Sequence, residues 1–337
     1  MVIEKTTIDY REHDRQIWEE ELDAFVPDRV FDAHCHLFQK ADFDEISEFA
    51  KGRKDVDIAA LRAWGATLYP ERTHSFLLLG TPLPGINVDA HVRTVTAQLR
   101  NEPHIRHFRV VTPKCALAKI EQDLKTPGFI GLKPYRTFSV TGDIAQCRIH
   151  EFLLHEQMEL ANDKGLWVTM HLSKYHGCAD AENLADLEEF TTKRYPNIKW
   201  ILAHCARSFT YWPIRQAIER LRDMPNIHYD LSAVTDMRPH LTLFTKEDTR
   251  RLFYGSDAVA AAYFHGGYPA LGRAWQYLVT DTSDIHFPHC DGRPILSVYE
   301  QLLSMKHAAE IAELSREQIE GIFWNNATTA LGLQSAD

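Results

Sequence analysis

The chain has no Cys-x-x-Cys pair. Its six cysteines, Cys35, Cys115, Cys147, Cys178, Cys205 and Cys290, are scattered over 337 residues. That scatter excludes a disulfide framework and points to reduced thiols in a cytoplasmic protein. No run of Lys and Arg forms a basic patch, and the formal net charge is −10, so a nucleic-acid surface is not expected. No apolar stretch reaches transmembrane length, and the first 29 residues alternate acidic and basic groups around no apolar centre, which argues against membrane insertion and against a secretory leader. Internal repeats and low-complexity segments are also missing. What is present is an acidic chain with 45% hydrophobic residues, large enough to bury one substantial core and of the size that α/β barrels reach as a single domain. Its default ligand is a small molecule.

Short apolar stretches alternate with longer amphipathic ones. The stretches at 29–34, 75–81, 106–112, 128–133, 166–172, 198–204, 226–232 and 250–257 read as strands. Helical periodicity occupies 87–101, 114–125, 147–164, 183–195 and 210–223, with Gly165 and Pro196-Asn197 breaking it just before the next strand. Eight strands separated by helices predict a parallel (β/α)8 TIM-like barrel over 29–332. An N-terminal arm, helical or contacting a partner, precedes it at 1–28, and a short tail follows at 333–337. The segment at about 258–294 is rich in Gly, His, Pro and aromatic residues and too long for an ordinary link, so it reads as a lid over the barrel mouth. Helices at 293–311 and 315–332 would then close the fold.

Several of these strands run into a chemically active residue. Val30-Phe31-Asp32-Ala33 leads to His34-Cys35-His36, and alternate residues of a strand share a face, so two imidazoles at its end can grip one ion. The spacing alone is weak evidence, because 18 histidines will throw up such a pair by chance. Four further strands end alike: 129–132 in Lys133, 166–170 in His171, 198–203 in His204 and 252–256 in Asp257. In a barrel the carboxyl ends of the strands converge on the active site. His104, His107, His150 and His155 lie at no such end and read as structural.

The motifs Asp32-Ala33-His34-Cys35-His36, Gly131-Leu132-Lys133, Met170-His171, Ala203-His204-Cys205, Gly255-Ser256-Asp257 and Ile322-Phe323-Trp324-Asn325-Asn326-Ala327 occur in an order that resembles the amidohydrolase superfamily. The resemblance is to the amidohydrolase-related branch, which holds metal-dependent hydrolases and non-oxidative decarboxylases. It implies a divalent metal held by His34, His36 and Asp257, with His171 and His204 as further ligands or substrate-activating groups. Imidazoles and a carboxylate suit zinc first, with iron and manganese as alternatives. Lys133 stands where some relatives carry a carboxylated lysine bridging two ions; the rival is a cationic lysine binding a substrate carboxylate beside one ion.

The leading expectation is hydrolysis of an amide, lactone or related bond in a small anionic molecule, with Asp257 as general base and His171 and His204 assisting. Non-oxidative decarboxylation is the first alternative. Oxygen activation at a dinuclear iron or iron–manganese centre, hydroxylating a small amino-acid-like substrate, is the second. A homo-oligomer, or pairing with a related barrel subunit in which this chain is a non-catalytic partner, completes the expectations. Substrate contacts are expected from Tyr135, Arg136, Lys174, His176, Arg207 and His265, with His286 and His289 further along the lid. The chain departs from the family pattern at two points: Ala203-His204-Cys205-Ala206 replaces the usual His-Gly-Gly turn, and Asp257 is followed by Ala258-Val259-Ala260-Ala261.

Overall fold

In the computed structural model, which describes residues 8–45, 51, 54–258 and 261–333, eight parallel strands neighbour one another in sequence order. They are β1 (Arg29–His36), β2 (Thr73–Leu79), β3 (Arg106–Val110), β4 (Phe129–Lys133), β5 (Trp167–Met170), β6 (Lys199–Leu202), β7 (Ile227–Asp230) and β8 (Leu252–Phe253). The ring closes between the last strand and the first. Ala33 N–H donates to the Tyr254 carbonyl (2.9 Å), Asp257 N–H to that of His34 (2.7 Å), and His36 N–H to that of Ala258 (2.9 Å). The fold is therefore the (β/α)8 barrel expected from the alternation of strands and helices. The β8 ladder is shorter than the apolar run that announced it, because 254–257 continue only through these irregular bonds to β1.

Strands buried on both faces need continuous apolar sequence, and Phe76 to Leu79 and Trp200 to Leu202 supply it. Phe31, Ala33, Leu77, Leu79, Phe108, Trp167, Ile201 and Phe253 form one buried cluster, and a larger one packs strands against helices. The β1–β2 register shifts between Asp32 and Cys35. This irregularity changes which side chains point inward: Phe31 and Ala33 belong to the interior cluster, yet His34 and His36, of the opposite parity, both reach the mouth.

The expected helices appear at Val88–Leu99, Leu117–Asp123, His155–Asp163, Ala181–Glu189, Trp212–Leu221 and Ser297–Ile311, and as three joined segments from Arg316 to Ala330. Two more, Ile58–Leu68 and Met237–Lys246, had not been expected. The arm forms a helix, α1 (Glu12–Ile17), that runs into a π-helical turn (Trp18–Leu22). Trp18 and Leu22 are buried. The fully buried Asp14 pins this arm to the far end of the chain, accepting from Leu296 N–H and facing His265 Nε2, each at 2.8 Å. Residues 266–279 form two short antiparallel pairs beside the mouth. No described helix is long and apolar enough to cross a membrane, and all six cysteines are free thiols.

Candidate metal centre

A cavity of about 740 Å³ opens at the carboxyl ends of the strands, and His34, His36, Lys133, His171, His204 and Asp257 all line it. Around these groups each imidazole has one ring nitrogen engaged by the protein. His34 Nδ1 lies 2.9 Å from Asp230 Oδ2, and His36 Nδ1 lies 3.1 Å from the Gly80 carbonyl. His171 Nδ1 meets the Leu172 carbonyl (3.0 Å) and His204 Nδ1 the Ser232 carbonyl (3.1 Å). An Nδ1–H donated to an oxygen leaves Nε2 as the unprotonated ligand atom, the arrangement that metal-binding histidines use. Asp257 Oδ1 is 3.3 Å from Nε2 of both His34 and His36, and its Oδ2 is 3.9 Å from His204 Nε2.

The electrostatics keep these groups in ligand form. Burial, reinforced by the charge of Lys133, holds His34 down to about 4 and lowers His36 too, so both rings are neutral. Burial alone would raise Asp257, but the proton that a facing histidine can hold, by charge on His34 and by a hydrogen bond from His36, draws the carboxyl below the usual carboxylate range, so the carboxylate ionises before those rings become neutral. Three imidazole Nε2 atoms converging on one ionised carboxylate, with a fourth imidazole stacked edge-on against His204 (ring centroids 5.0 Å apart), fit a divalent cation. His34, His36 and Asp257 group tightly enough to share one ion. Lys133 is buried, its Nζ 3.4 Å from His34 Nε2, and burial pulls its amine down to about 8.

Asp230 was not among the expected residues. Its Oδ1 accepts from the backbone N–H of His204 (3.1 Å) and of Ser232 (3.2 Å) and from the Ser232 hydroxyl, while Oδ2 takes the His34 Nδ1–H. One carboxylate thus orients two prospective ligands on different strands. Its signal was available: β7 ends in Asp230 just as the neighbouring strands run into His204 and Asp257. Asp32 works similarly at the seam, accepting from the N–H of His34 and Ser256 (2.9 Å each) and from the Ser256 hydroxyl.

After β6 the chain makes a left-handed turn, with φ of 59°, 50°, 58° and 59° at His204, Cys205, Ala206 and Arg207. None of the four is glycine, so the run costs on the order of 1 kcal/mol per residue or more. Contacts that hold it include Ser208 N–H to the His204 carbonyl (2.8 Å) and the Cys205 Sγ–His240 Nδ1 approach (3.6 Å). Gly177, itself at φ 52°, leaves the room: a Cβ there would come within 2.6 Å of the Arg207 carbonyl. The turn delivers Arg207 to the cavity beside Arg136 and Tyr135. Burial and the neighbouring Arg136 charge bring Arg207 down to about 10. The Nε atoms of Arg136 and Arg207 are buried without an acceptor, and neither arginine has an acidic partner among the described residues.

Three expected substrate contacts lie elsewhere. Lys174, at φ 67°, turns away from the cavity, and its Nζ donates to the Gln146 carbonyl (2.7 Å) and pairs with Glu182. His176 packs on Trp212 with ring centroids 5.0 Å apart, and His265 is buried against Asp14. None of them lines the cavity, and the exposed His286 and His289 do not either.

Among solved structures, the chain is similar to a probable 2-pyrone-4,6-dicarboxylic acid hydrolase from Acinetobacter baumannii, crystallised with citric acid (12% identity, 90% of this chain and 99% of that one, TM-score 0.57). It is also similar to 2,6-dihydroxybenzoate decarboxylase from Rhizobium (10%, 92% and 100%, 0.57) and to 4-oxalomesaconate hydratase from Rhodopseudomonas palustris (14%, 90% and 96%, 0.52). At such identities the likeness concerns the fold. No curated protein matches the chain. The family model described as Amidohydrolase matches residues 31–333, a span that holds the barrel strands, but for the first two residues of β1, and every prospective metal ligand, and the chain therefore belongs to the amidohydrolase family.

Proposed function

We propose that this protein is a metal-dependent hydrolase of a small anionic molecule, cleaving an amide, lactone or related bond. The observation that carries the reading is the convergence of His34, His36, His171, His204 and Asp257 on one cavity that Arg136 and Arg207 also line, each with a buried Nε that has no acceptor. His34, His36 and Asp257 would hold a divalent ion, with His171 and His204 as further ligands. Such an ion supplies Lewis-acid polarisation and acidifies a water toward neutrality. Asp257, ionised across the physiological range, accepts a proton from the attacking water on a carboxylate oxygen and returns it to the leaving group. Arg136 and Arg207, with Tyr135 beside His171 (ring centroids 5.0 Å apart), hold a substrate carboxylate by charge-assisted bonds.

A decarboxylase reading also has an observation behind it. The anion clamp borders His171, so a carboxylate held there could itself be the group that leaves. The two are separated by incubating zinc- or manganese-loaded protein with carboxylated lactones, carboxylated amides and hydroxylated benzoates while following acid release and CO₂ together. Acid release without CO₂, abolished in Asp257→Asn, is the expected result. CO₂ release from the benzoates with no hydrolysis would replace hydrolysis by decarboxylation. The state of Lys133 is a separate matter that the ion count reads: a cationic amine beside one ion, or a carboxylated lysine between two.

A further inference from the structure

The wall of the cavity next to His204 is aromatic. Phe209 lies against the His204 ring (centroids 5.4 Å) and stacks on Trp275 at 4.3 Å and 28°. Tyr268 meets Phe209 at 5.1 Å and Tyr277 at 5.3 Å, and Phe264 meets Tyr277 at 4.7 Å. All five rings line the cavity. They form a surface several rings long that starts at a prospective metal ligand and ends on the hairpins of 266–279. Packed this closely on one another, the rings enclose no space for an ammonium group, so this is not a cation cage. Among the described residues that line the cavity, the one carboxylate outside the metal centre is Asp9, which is tied to Arg11 at 2.6 Å. Trp275 and Tyr277 nevertheless remain 41% and 42% exposed, an apolar face that solvent covers poorly and a flat apolar ligand would cover well. A cavity of about 740 Å³ lies in the range of roughly 300–1,000 Å³ typical of sites for drug-sized ligands.

We propose that the substrate is an amphiphilic acid: a carboxylate held by Arg136 and Arg207 with Tyr135, which meets His171, and a flat apolar group larger than a single ring, laid on the Phe209–Trp275–Tyr277 wall that starts at His204. This rests on the reading above for the carboxylate and adds the apolar half. The reacting bond then sits between the two, at His171 and His204.

The test is calorimetric titration of metal-loaded, full-length protein with benzoate, biphenyl-4-carboxylate and biphenyl-4-carboxamide, repeated on Trp275→Ala and Trp275→Phe. Biphenyl-4-carboxylate is expected to bind about tenfold or more tighter than benzoate, the worth of one stacked ring with its buried area. Trp275→Ala should remove most of that preference while leaving benzoate binding nearly as it was, and Trp275→Phe should restore it in part. Equal affinity of the two acids, or equal loss of both in Trp275→Ala, overturns the aromatic half while leaving the carboxylate reading intact. Carboxamide binding as tight as carboxylate overturns the acid half and, with it, the anionic substrate proposed above.

Discussion

Replacing Asp230 by Asn changes one atom and gives the site no good arrangement. Asp230 presents two acceptor oxygens, Oδ2 to the His34 Nδ1–H at 2.9 Å and Oδ1 to three donors, the His204 and Ser232 N–H groups and the Ser232 hydroxyl. If the Asn carbonyl faces the three donors, its NH₂ faces His34. The imidazole must then accept on Nδ1 and carry its proton on Nε2, the atom aimed at the metal. If the amide is flipped, His34 keeps its tautomer but an NH₂ confronts three donors in a buried pocket, at about 1–3 kcal/mol for each group left unsatisfied. In either orientation affinity falls, and loss of such a partner costs about 10- to 100-fold in metal binding, or roughly 1.4–2.7 kcal/mol. The assay is competition of apo-protein with a fluorescent zinc chelator near neutral pH, with circular dichroism to confirm that the variant is folded. Zinc affinity in Asp230→Asn indistinguishable from that of the parent protein would refute the assigned role of Asp230 and the Nε2 ligation of His34 that depends on it.

Other perturbations give separate readings. Gly177→Ala sets a Cβ against the Arg207 carbonyl and forces a left-handed φ on alanine, so melting should drop by an amount corresponding to about 1 kcal/mol or more. Binding of the benzoate probe should weaken as Arg207 shifts, and both would be checked by thermal denaturation and titration. Ala206→Gly relieves a φ of 58° but removes a buried methyl and loosens the unfolded chain. The relieved strain, about 1–2 kcal/mol, is offset by about 0.8 kcal/mol for the methyl and about 0.4–1 kcal/mol for the freer unfolded chain, so urea denaturation should show little change. His74, His228 and His240 are each held down to about 4 by burial. Since the unfolded chain takes up these protons first, near 6.5, their contribution to stability is full above that pH and is lost as the pH falls toward 4. The slope is roughly 1.4 kcal/mol per pH unit for each proton, readable as a falling urea midpoint across that window. Asp14→Ala leaves His265 and the Leu296 N–H buried without their partner. It should destabilise by about 3 kcal/mol and expose the arm to limited proteolysis.

The barrel was legible because parallel strands buried on both faces leave apolar runs, such as Phe76 to Leu79, that hardly any other structure would require. Helix Ile58–Leu68 escaped notice because it is apolar nearly all round and contains Gly65, which is there for a different reason: a Cβ would collide with His74. Helix Met237–Lys246 was hidden by Pro239 in its first turn, where proline breaks no hydrogen bond. The strand-end residues His34, His36, Lys133, His171, His204 and Asp257 could be found because β geometry fixes where a strand's last residues point. Loop residues follow no such rule. Lys174 is three residues from His171, yet a single left-handed φ turns it outward, and the direction of His265 is decided by Asp14, 251 positions away. Arg207 reaches the cavity only through a left-handed turn that Cys205 and Ala206 would not suggest.

The central claim is that His34, His36, His171, His204 and Asp257 form one metal centre. Elemental mass spectrometry tests it most directly, on protein expressed with zinc, iron and manganese all available, purified without chelator and compared with the His34→Ala and Asp257→Asn variants. The account predicts about one or two ions per chain in the parent protein, two meaning a carboxylated Lys133, and a clear loss in His34→Ala. A parent chain that holds no ion, or a folded His34→Ala variant with its full metal content, would contradict it.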